Sequence, residues 1–416
     1  MSPSGIEGEV RIPGSKSHTI RGVVIGTLAE GTSVLRDPLD AADTRSAAAC
    51  CRGLGAAIET EAARWKVRGC GGCLPSSPVT LDVGNSGTTL GNLLAVCATG
   101  TAPVKLDGDA SIRTRPFGPL LASLEALGAK ILSAGPSGTA PITLCGPLCG
   151  GEAEVDGTTS IYLTPLLVAC PLAPKTSRLR VRGRMNEQGY VRMTLDWLAA
   201  SGIRVEANED LTRLEVPGGQ IYGPVDRAVA ADFSTAAFPA CAAVLAAQGN
   251  VVLRGLDFSD TQGDKVLFDI LRRMGATFEV ADRQVIVRPG ASLRGTRIDL
   301  SGAPDALPVL AVVACAAEGE TILENVAMAR IKETDRIAVM REELTKMGAD
   351  VEELPDGLAI RKSALHGAVV DGRDDHRVVM ALAVAGLIAR GETCIESAEA
   401  VEVTYPTFVS SMRSLG

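Results

Sequence analysis

Leu54-Gly55-Ala56, Leu127-Gly128-Ala129, Ser201-Gly202-Ile203, Met274-Gly275-Ala276 and Met347-Gly348-Ala349 are one phrase written five times, and the chain ends on a sixth, Leu415-Gly416. The glycines are 73, 74, 73, 73 and 68 residues apart. A fixed period marks an internal repeat and decides the architecture. Each phrase reads as a helix stopped by glycine just past its end, where φ must turn positive. A short strand such as Ala57-Ile58-Glu59 follows. Each unit holds another helix, a run of small apolar residues closed by glycine: Lys16 to Gly31, Ser86 to Gly100, Thr235 to Gly249, Asp305 to Gly319 and His376 to Gly391. The third unit's copy, Ser160 to Leu172, ends at a proline instead. Ala, Val, Leu and Gly let such helices pack at close range, in keeping with an aromatic content of 3%.

Six units of two helices and several strands predict an α/β protein of two pseudo-equivalent domains, three units in each. No strand follows Gly416, and Gly8-Glu9-Val10-Arg11-Ile12 is strand-like, so the N-terminal segment is expected to complete the sixth unit. Crossings near Gly14–Ser15 and Arg227–Ala231 predict one domain of residues 1–14 plus 229–416 and another of 15–228, with a cleft between them.

Composition bounds the function. The chain has 416 residues, 46% hydrophobic and 22% charged, enough to bury a core without staples. With 41 Lys and Arg against 49 Asp and Glu the net charge is −8, which argues against a general nucleic-acid binder. The longest apolar runs, Leu307 to Ala317 and Val378 to Ala389, fall short of the ~18 residues that span a bilayer. Met1–Val10 has no signal-peptide core. Eleven Cys without such a leader point to reduced thiols and a cytoplasmic protein.

The polar residues cluster where helices begin. One set reads Gly14-Ser15-Lys16-Ser17, Gly84-Asn85-Ser86-Gly87-Thr88, Thr158-Thr159-Ser160, Asp232-Phe233-Ser234-Thr235, Pro304-Asp305 and Asp374-Asp375-His376-Arg377. The other includes Asp43-Thr44-Arg45, Arg113-Thr114-Arg115-Pro116, Asn186-Glu187, Asp260-Thr261, Lys332-Glu333-Thr334-Asp335-Arg336 and Thr404-Tyr405-Pro406. Ser, Thr, Asp and Asn cap helices whatever the function, and Asp43, Asp232 and Asp260 are read as caps. Capping does not explain Lys16, Arg115, Lys332, Arg336 and Arg377, because the helix dipole disfavours cations there. An anionic ligand accounts for five such cations, since helix starts also offer free N–H groups. Glu333, between Lys332 and Arg336, is either an ion-pair partner or a proton carrier. Asp305 is either a cap or a base.

These residues are the ones by which the chain resembles the EPSP synthase family. The signatures are Pro13-Gly14-Ser15-Lys16-Ser17 with Arg21, Gly84-Asn85-Ser86-Gly87-Thr88, Arg115-Pro116, Arg330-Ile331-Lys332-Glu333-Thr334-Asp335-Arg336 and Asp375-His376-Arg377. The resemblance implies two domains, each of three βαβαββ units with helix starts facing an interdomain cleft. It implies transfer of the enolpyruvyl group from phosphoenolpyruvate to the 5-hydroxyl of shikimate 3-phosphate, by addition and elimination, with release of phosphate. It further implies that Lys16, Arg115, Arg336 and Arg377 hold phosphoenolpyruvate, with backbone at Gly87 lining its pocket. Ser17, Arg21 and Tyr190 would hold the cyclohexene acid, Thr159 and Ser160 its phosphate. Asp305 with Lys332 would address the attacking hydroxyl, and Glu333 would protonate the methylene. Lys16 counts among the catalytic cations. Small anionic substrates, no cofactor or metal, no nucleic acid or membrane, and a monomeric state complete the expectation.

Five positions depart from the family's pattern. Ile161 stands where a Gln usually follows the two hydroxyl residues. Glu187, three residues before Tyr190, stands where many members place Ser or Arg, and a carboxylate repels a phosphate. Met328 replaces an Asn of some members, Gly91 an Arg common after the Gly87 motif, and Val403 a Lys that only some have. EPSP synthase activity, a related enzyme with a different and unphosphorylated shikimate-type acceptor, and a non-catalytic ligand-binding relative all remain open at this point.

Neighbouring readings fit less well. A transferase acting on UDP-N-acetylglucosamine would carry a reactive Cys where Ala110 stands. An RNA-phosphate cyclase would need an attacking His, yet His18 and His376 lie inside the motifs and His366 in a surface connection. Cys70-Gly71-Gly72-Cys73 and Cys145-Gly146-Pro147-Leu148-Cys149 carry only fragments of a zinc pattern and read as loop or buried thiols. Arg182, Arg184, Arg272 and Arg273 read as solvated faces.

Overall fold

The computed structural model describes residues 5–416. Gly55, Gly128, Gly202, Gly275 and Gly348 have φ of 105°, 107°, 83°, 110° and 86°. That is the left-handed region open to glycine, and it stops the helices Ala42–Gly53, Gly118–Ala126, Gln188–Ala200, Val266–Met274 and Arg336–Lys346. Strands Ala57–Glu61, Lys130–Ser133, Glu206–Ala207, Phe278–Ala281 and Asp350–Leu354 follow them. The other helices of the repeats are Lys16–Leu28, Gly87–Cys97, Thr164–Ala169, Phe233–Ala246, Leu307–Ala316 and His376–Ile388. Being apolar around most of the circumference, they are stable only when covered on every side. Every residue from His18 to Leu28, and from His376 to Leu387, is buried. We call these the inner helices and the first set, with Phe408–Arg413, the outer ones.

Within a complete repeat the chain runs strand, inner helix, strand, outer helix, strand, strand. In the second repeat Val79–Asp82 lies parallel to Val104–Asp107, which pairs antiparallel with Ile142–Cys145, itself antiparallel to Lys130–Ser133. Five four-stranded sheets share this order, and the sixth repeat has a two-stranded sheet of Val369–Asp371 and Cys394–Glu396. Two compact units result: one runs to Ser15 and resumes over Ala230–Gly416, the other is Lys16–Val229. Each buries its own apolar core. Among the described residues no helix is long and apolar enough to cross a membrane.

The N-terminal strand corrects one expectation. Ile6–Arg11 does not complete the sixth repeat; it opens the sheet of the fourth, parallel to Ala247–Arg254. The first strand of each sheet is a parallel edge strand, and the fourth repeat has no strand of its own immediately before Phe233. Ile6 and Val10 bury their side chains in that core while the residues between them stay exposed. The bond from Glu7 N–H to Leu415 O, 2.6 Å, links the strand to the sixth repeat's end. In the same manner Asp226–Ala228 supplies the first repeat's edge strand, parallel to Thr32–Arg36. The segments leading to and from these strands run side by side: Ser15 N–H donates to Ala230 O (2.8 Å) and Asp232 N–H to Pro13 O (2.9 Å).

The glycine- and cysteine-rich connections have a structural role. The last turn of a helix leaves carbonyls without partners, and in the first three repeats the chain leaving the sheet's fourth strand supplies donors to them. Cys70 N–H and Gly71 N–H bond Thr27 O and Ala29 O, Leu148 N–H bonds Ala98 O, and Gly219 N–H bonds Ala173 O. Cys70 Sγ adds a contact to Thr27 O at 3.2 Å. Such close approach leaves no room for a side chain: a Cβ on Gly69 would lie 2.2 Å from Ala29 O and 2.4 Å from Gly26 O. Gly69→Ala is therefore expected to lower stability by about 2 kcal/mol or more. Gly302→Ala, where a Cβ meets nothing within 4 Å, is expected to stay within about 0.5 kcal/mol. Chemical denaturation of both variants checks the contrast, and equal losses would contradict it.

Candidate active site

In the unit of Ala230–Gly416 the functional candidates converge on one guanidinium. Arg336 begins its outer helix and is 1% exposed. Its Nε donates to Asp375 Oδ2 at 2.7 Å and its Nη2 to Asp375 Oδ1 at 3.2 Å. Nη1 reaches Asp305 Oδ1 at 2.8 Å and Nη2 reaches Glu333 Oε2 at 2.6 Å. Arg377 Nη2 meets the other Asp305 oxygen at 3.1 Å, and Lys332 Nζ lies 3.9 Å from Asp305 Oδ1. Three carboxylates thus face three cations, which is what removing such charges from water demands.

The elements explain the convergence. Asp375 caps the inner helix His376–Ile388 by accepting from Arg377 N–H, so Arg377 leaves that helix's first turn. Asp305 sits in the turn Pro304–Ala306 that opens the inner helix of the neighbouring repeat. Asp335 caps the outer helix through Ala338 N–H, placing Lys332 and Glu333 in the loop just before it. Burial alone raises the Asp305 carboxyl, but Arg377, Lys332 and Arg336 outweigh it and hold Asp305 well below the usual carboxylate range. Burial works against the Arg336 cation, yet Asp375, Glu333 and Asp305 outweigh it and raise its pKa.

In Lys16–Val229 the candidates form two groups. Lys16 Nζ pairs with Asp43 Oδ2 at 3.0 Å. Asp43 is therefore not the cap it was expected to be: Ala41 is the cap residue, Thr44 Oγ1 serves its N–H, and Asp43 lies inside the first turn. Asp232 does cap, accepting from Ser234 N–H and Thr235 N–H. Asp260 accepts from Gln262 N–H, two residues on, and makes a turn before the helix rather than a cap on it. Arg115 Nη2 bonds Asn85 Oδ1 (3.0 Å) and Ser111 Oγ (2.9 Å). A Cβ on Gly87 would come within 3.0 Å of Arg115 Nη1, so glycine there lets the guanidinium lie against backbone.

The other group surrounds Arg21, which is buried in the inner helix. Its Nε donates to Thr194 Oγ1 (2.8 Å), Nη1 to Ser17 O (3.1 Å) and Nη2 to Tyr190 O (3.2 Å). Burial lowers its pKa to about 10, with Tyr190 and Glu187 opposing the fall. Arg21 thus holds the backbone carbonyls of Ser17 and Tyr190, the two residues assigned with it to the ring acid. Glu187 Oε2 accepts from Thr159 Oγ1 (2.7 Å), Ser160 N–H (2.8 Å) and Ser160 Oγ (2.9 Å).

Of the remaining departures, Ile161 packs on Gly91, where a Cβ would lie 3.1 Å from Ile161 Cγ1. Met328 lies in the turn Ala327–Ile331 and Val403 at the end of Ala398–Val403, both half-buried. Two contacts escaped sequence reasoning. Tyr162 Oη donates to Pro116 O at 3.0 Å, tying the Thr159-Ser160 turn to the Arg115 loop. Trp197 Nε1 donates to His18 Nδ1 at 2.8 Å, which spends this histidine on packing. A Trp and a His of one unit were the available signal, but nothing local pairs residues 179 apart.

Because the folded Asp305 pKa is depressed, its stabilising contribution is complete above the unfolded value of ~3.9 and is lost as pH falls below it. Asp305→Asn is expected to cost about 3–5 kcal/mol at pH 7. The gap to the parent chain is expected to shrink by up to ~1.4 kcal/mol per pH unit below that value. Denaturation series at pH 7 and pH 3 measure it; a gap independent of pH would contradict the charge balance.

A profile of EPSP synthase (3-phosphoshikimate 1-carboxyvinyltransferase) matches residues 1–412. The 3-phosphoshikimate 1-carboxyvinyltransferase of Acetivibrio thermocellus is 48% identical over 99% of this chain and 97% of its own. That of Ruminiclostridium cellulolyticum is 46% identical over 100% of this chain and 98% of its own. A solved EPSP synthase from Acinetobacter baumannii is 27% identical, with a TM-score of 0.80 over 100% of this chain and 97% of that one. With a match along nearly its whole length and relatives this similar, the chain belongs to the EPSP synthase family.

Proposed function

We propose that the chain transfers the enolpyruvyl group of phosphoenolpyruvate to the 5-hydroxyl of shikimate 3-phosphate and releases phosphate. The observation that carries this reading is the Arg336 network: two acids, Asp305 and Glu333, share one site with Lys332, Arg336 and Arg377. Lys16, Arg115, Arg336 and Arg377 hold phosphoenolpyruvate, with Gly87 backbone beside it. Ser17, Arg21 and Tyr190 hold the ring acid, and Thr159 with Ser160 its phosphate. The acid/base residues belong to the unit of Ala230–Gly416, and the acceptor's contacts mainly to Lys16–Val229.

The chemistry follows from charge. The enol carbon of phosphoenolpyruvate becomes electrophilic when its methylene takes a proton, which Glu333 delivers. The acceptor hydroxyl attacks that carbon while Asp305, oriented with Lys332, takes its proton. Elimination then reverses the first transfer: the methyl carbon returns a proton to Glu333, the carbon–oxygen bond to phosphate breaks, and the cations stabilise the leaving group. A carboxylate held far below its usual range is a weak base. Once substrate anions share Arg336 and Arg377, their pull on Asp305 falls and its proton affinity rises. The resting network thus keeps Asp305 ionised, and the bound substrate makes it basic.

Assay with phosphoenolpyruvate and shikimate 3-phosphate is expected to give phosphate and an enol ether, at a higher kcat/KM than with unphosphorylated shikimate. Turnover of shikimate alone would overturn the reading. Glu333→Gln is expected to lower kcat by at least 100-fold, in the range of general-acid loss. Its phosphoenolpyruvate affinity is expected to stay within a few-fold. Unchanged turnover would remove Glu333 as the acid.

A further inference from the structure

Three donors converging on one buried oxygen make a cradle for an anion, and in this chain a side chain fills it. Thr159 Oγ1, Ser160 N–H and Ser160 Oγ all donate to Glu187 Oε2, at 2.7, 2.8 and 2.9 Å. Thr159, Ser160 and Glu187 are 2%, 7% and 4% exposed. Charge-assisted bonds of this kind are about twice as strong as neutral ones. The Arg21 charge also acts on Glu187. Glu187 occupies the N-cap position of Gln188–Ala200 without capping that helix, and its backbone is left-handed at φ 54° and ψ 36°. A non-glycine residue rarely holds that conformation unless its surroundings require it. The side chain is therefore committed to the cradle rather than to its own helix.

We propose that Glu187 is an internal stand-in for the acceptor's phosphate, and that shikimate 3-phosphate binds by displacing it. The proposal rests on the functional reading above, in which Thr159 and Ser160 hold that phosphate. One set of donors cannot serve two anions, and two like charges 4 Å apart repel by ~4 kcal/mol at an effective dielectric of 20. Entry of the phosphate therefore requires the carboxylate to leave. An internal competitor lowers apparent affinity by the fraction of molecules in which the cradle is open. Glu187 thus sets how tightly this chain holds a phosphorylated acceptor, and leaves phosphoenolpyruvate binding alone.

The test is the KM for shikimate 3-phosphate at saturating phosphoenolpyruvate in the parent chain, Glu187→Gln and Glu187→Ser. Glutamine keeps the shape and an acceptor oxygen but loses the charge; serine empties the cradle. The expected order of acceptor KM is parent above Gln above Ser, with a fall of tenfold or more in Glu187→Ser. The KM for phosphoenolpyruvate is expected to stay within twofold. Melting temperatures of the unliganded proteins show that the variants fold. To cover a variant that does not, calorimetric titration of the parent with shikimate and with shikimate 3-phosphate offers a second measurement. Displacement predicts that the 3-phosphate adds less than tenfold to affinity. An unchanged or raised acceptor KM in both variants, or a gain above 100-fold from the phosphate in the parent, would overturn the proposal. No transfer to shikimate 3-phosphate by the parent chain would remove the functional reading itself, and the proposal with it.

Discussion

A guanidinium that is 1% exposed has to be neutralised by groups as close as hydrogen bonds allow, and Arg336 meets that demand with Asp375, Asp305 and Glu333. The rest of the site is arranged around this requirement. Asp375 is at once the cap of an inner helix and the bidentate partner of Arg336, so the helix start and the ion network are fixed together. Asp305 is held by Arg336 and Arg377 from two different helices. Burying such a cluster is costly, and the carboxylates Asp305, Glu333 and Asp375 answer the cations Lys332, Arg336 and Arg377. An incoming dianion therefore does not meet bare cations. In the proposed reaction it replaces internal carboxylates as partner to those cations and relieves Asp305 and Glu333, the two proposed as base and acid.

The same logic recurs in the other unit with different residues. Lys16 rests on Asp43, and Thr159 with Ser160 rests on Glu187. In each case a carboxylate of the chain meets the cations or donors assigned to substrate anions. The Arg115 guanidinium bonds Asn85 and Ser111 and lies against the open face of Gly87.

The repeat architecture was legible because its signal is local. A glycine after a helix needs nothing but its own φ, and all five internal copies adopt it. The inner helices were legible because runs of small apolar residues have nowhere to go but inside. The partner of Ile6–Arg11 was not, since parallel pairing with Ala247–Arg254 joins segments about 240 residues apart and no local pattern chooses between open sheet edges. At the site, the cations could be named because they violate the preference of helix starts. Of their counter-ions only Glu333 could be offered: Asp43 and Asp375 look alike as acids at helix starts, yet Asp43 pairs with Lys16 from inside its turn while Asp375 caps its helix and also pairs with Arg336. Glu187 and Ile161 were visible as departures, but what they touch is tertiary. Glu187 turns out to hold the cradle, and Ile161 fills the space that Gly91 leaves.

In the proposed reaction a carboxyl group of this network protonates the methylene of phosphoenolpyruvate, and elimination returns the proton. Turnover with shikimate 3-phosphate in D2O tests it most directly, read as the isotopic content of the product's vinyl carbon. A transient methyl group carrying one solvent-derived deuterium loses hydrogen or deuterium on elimination, so the account predicts deuterium in the product's methylene. Product formed with a wholly protiated methylene would contradict it.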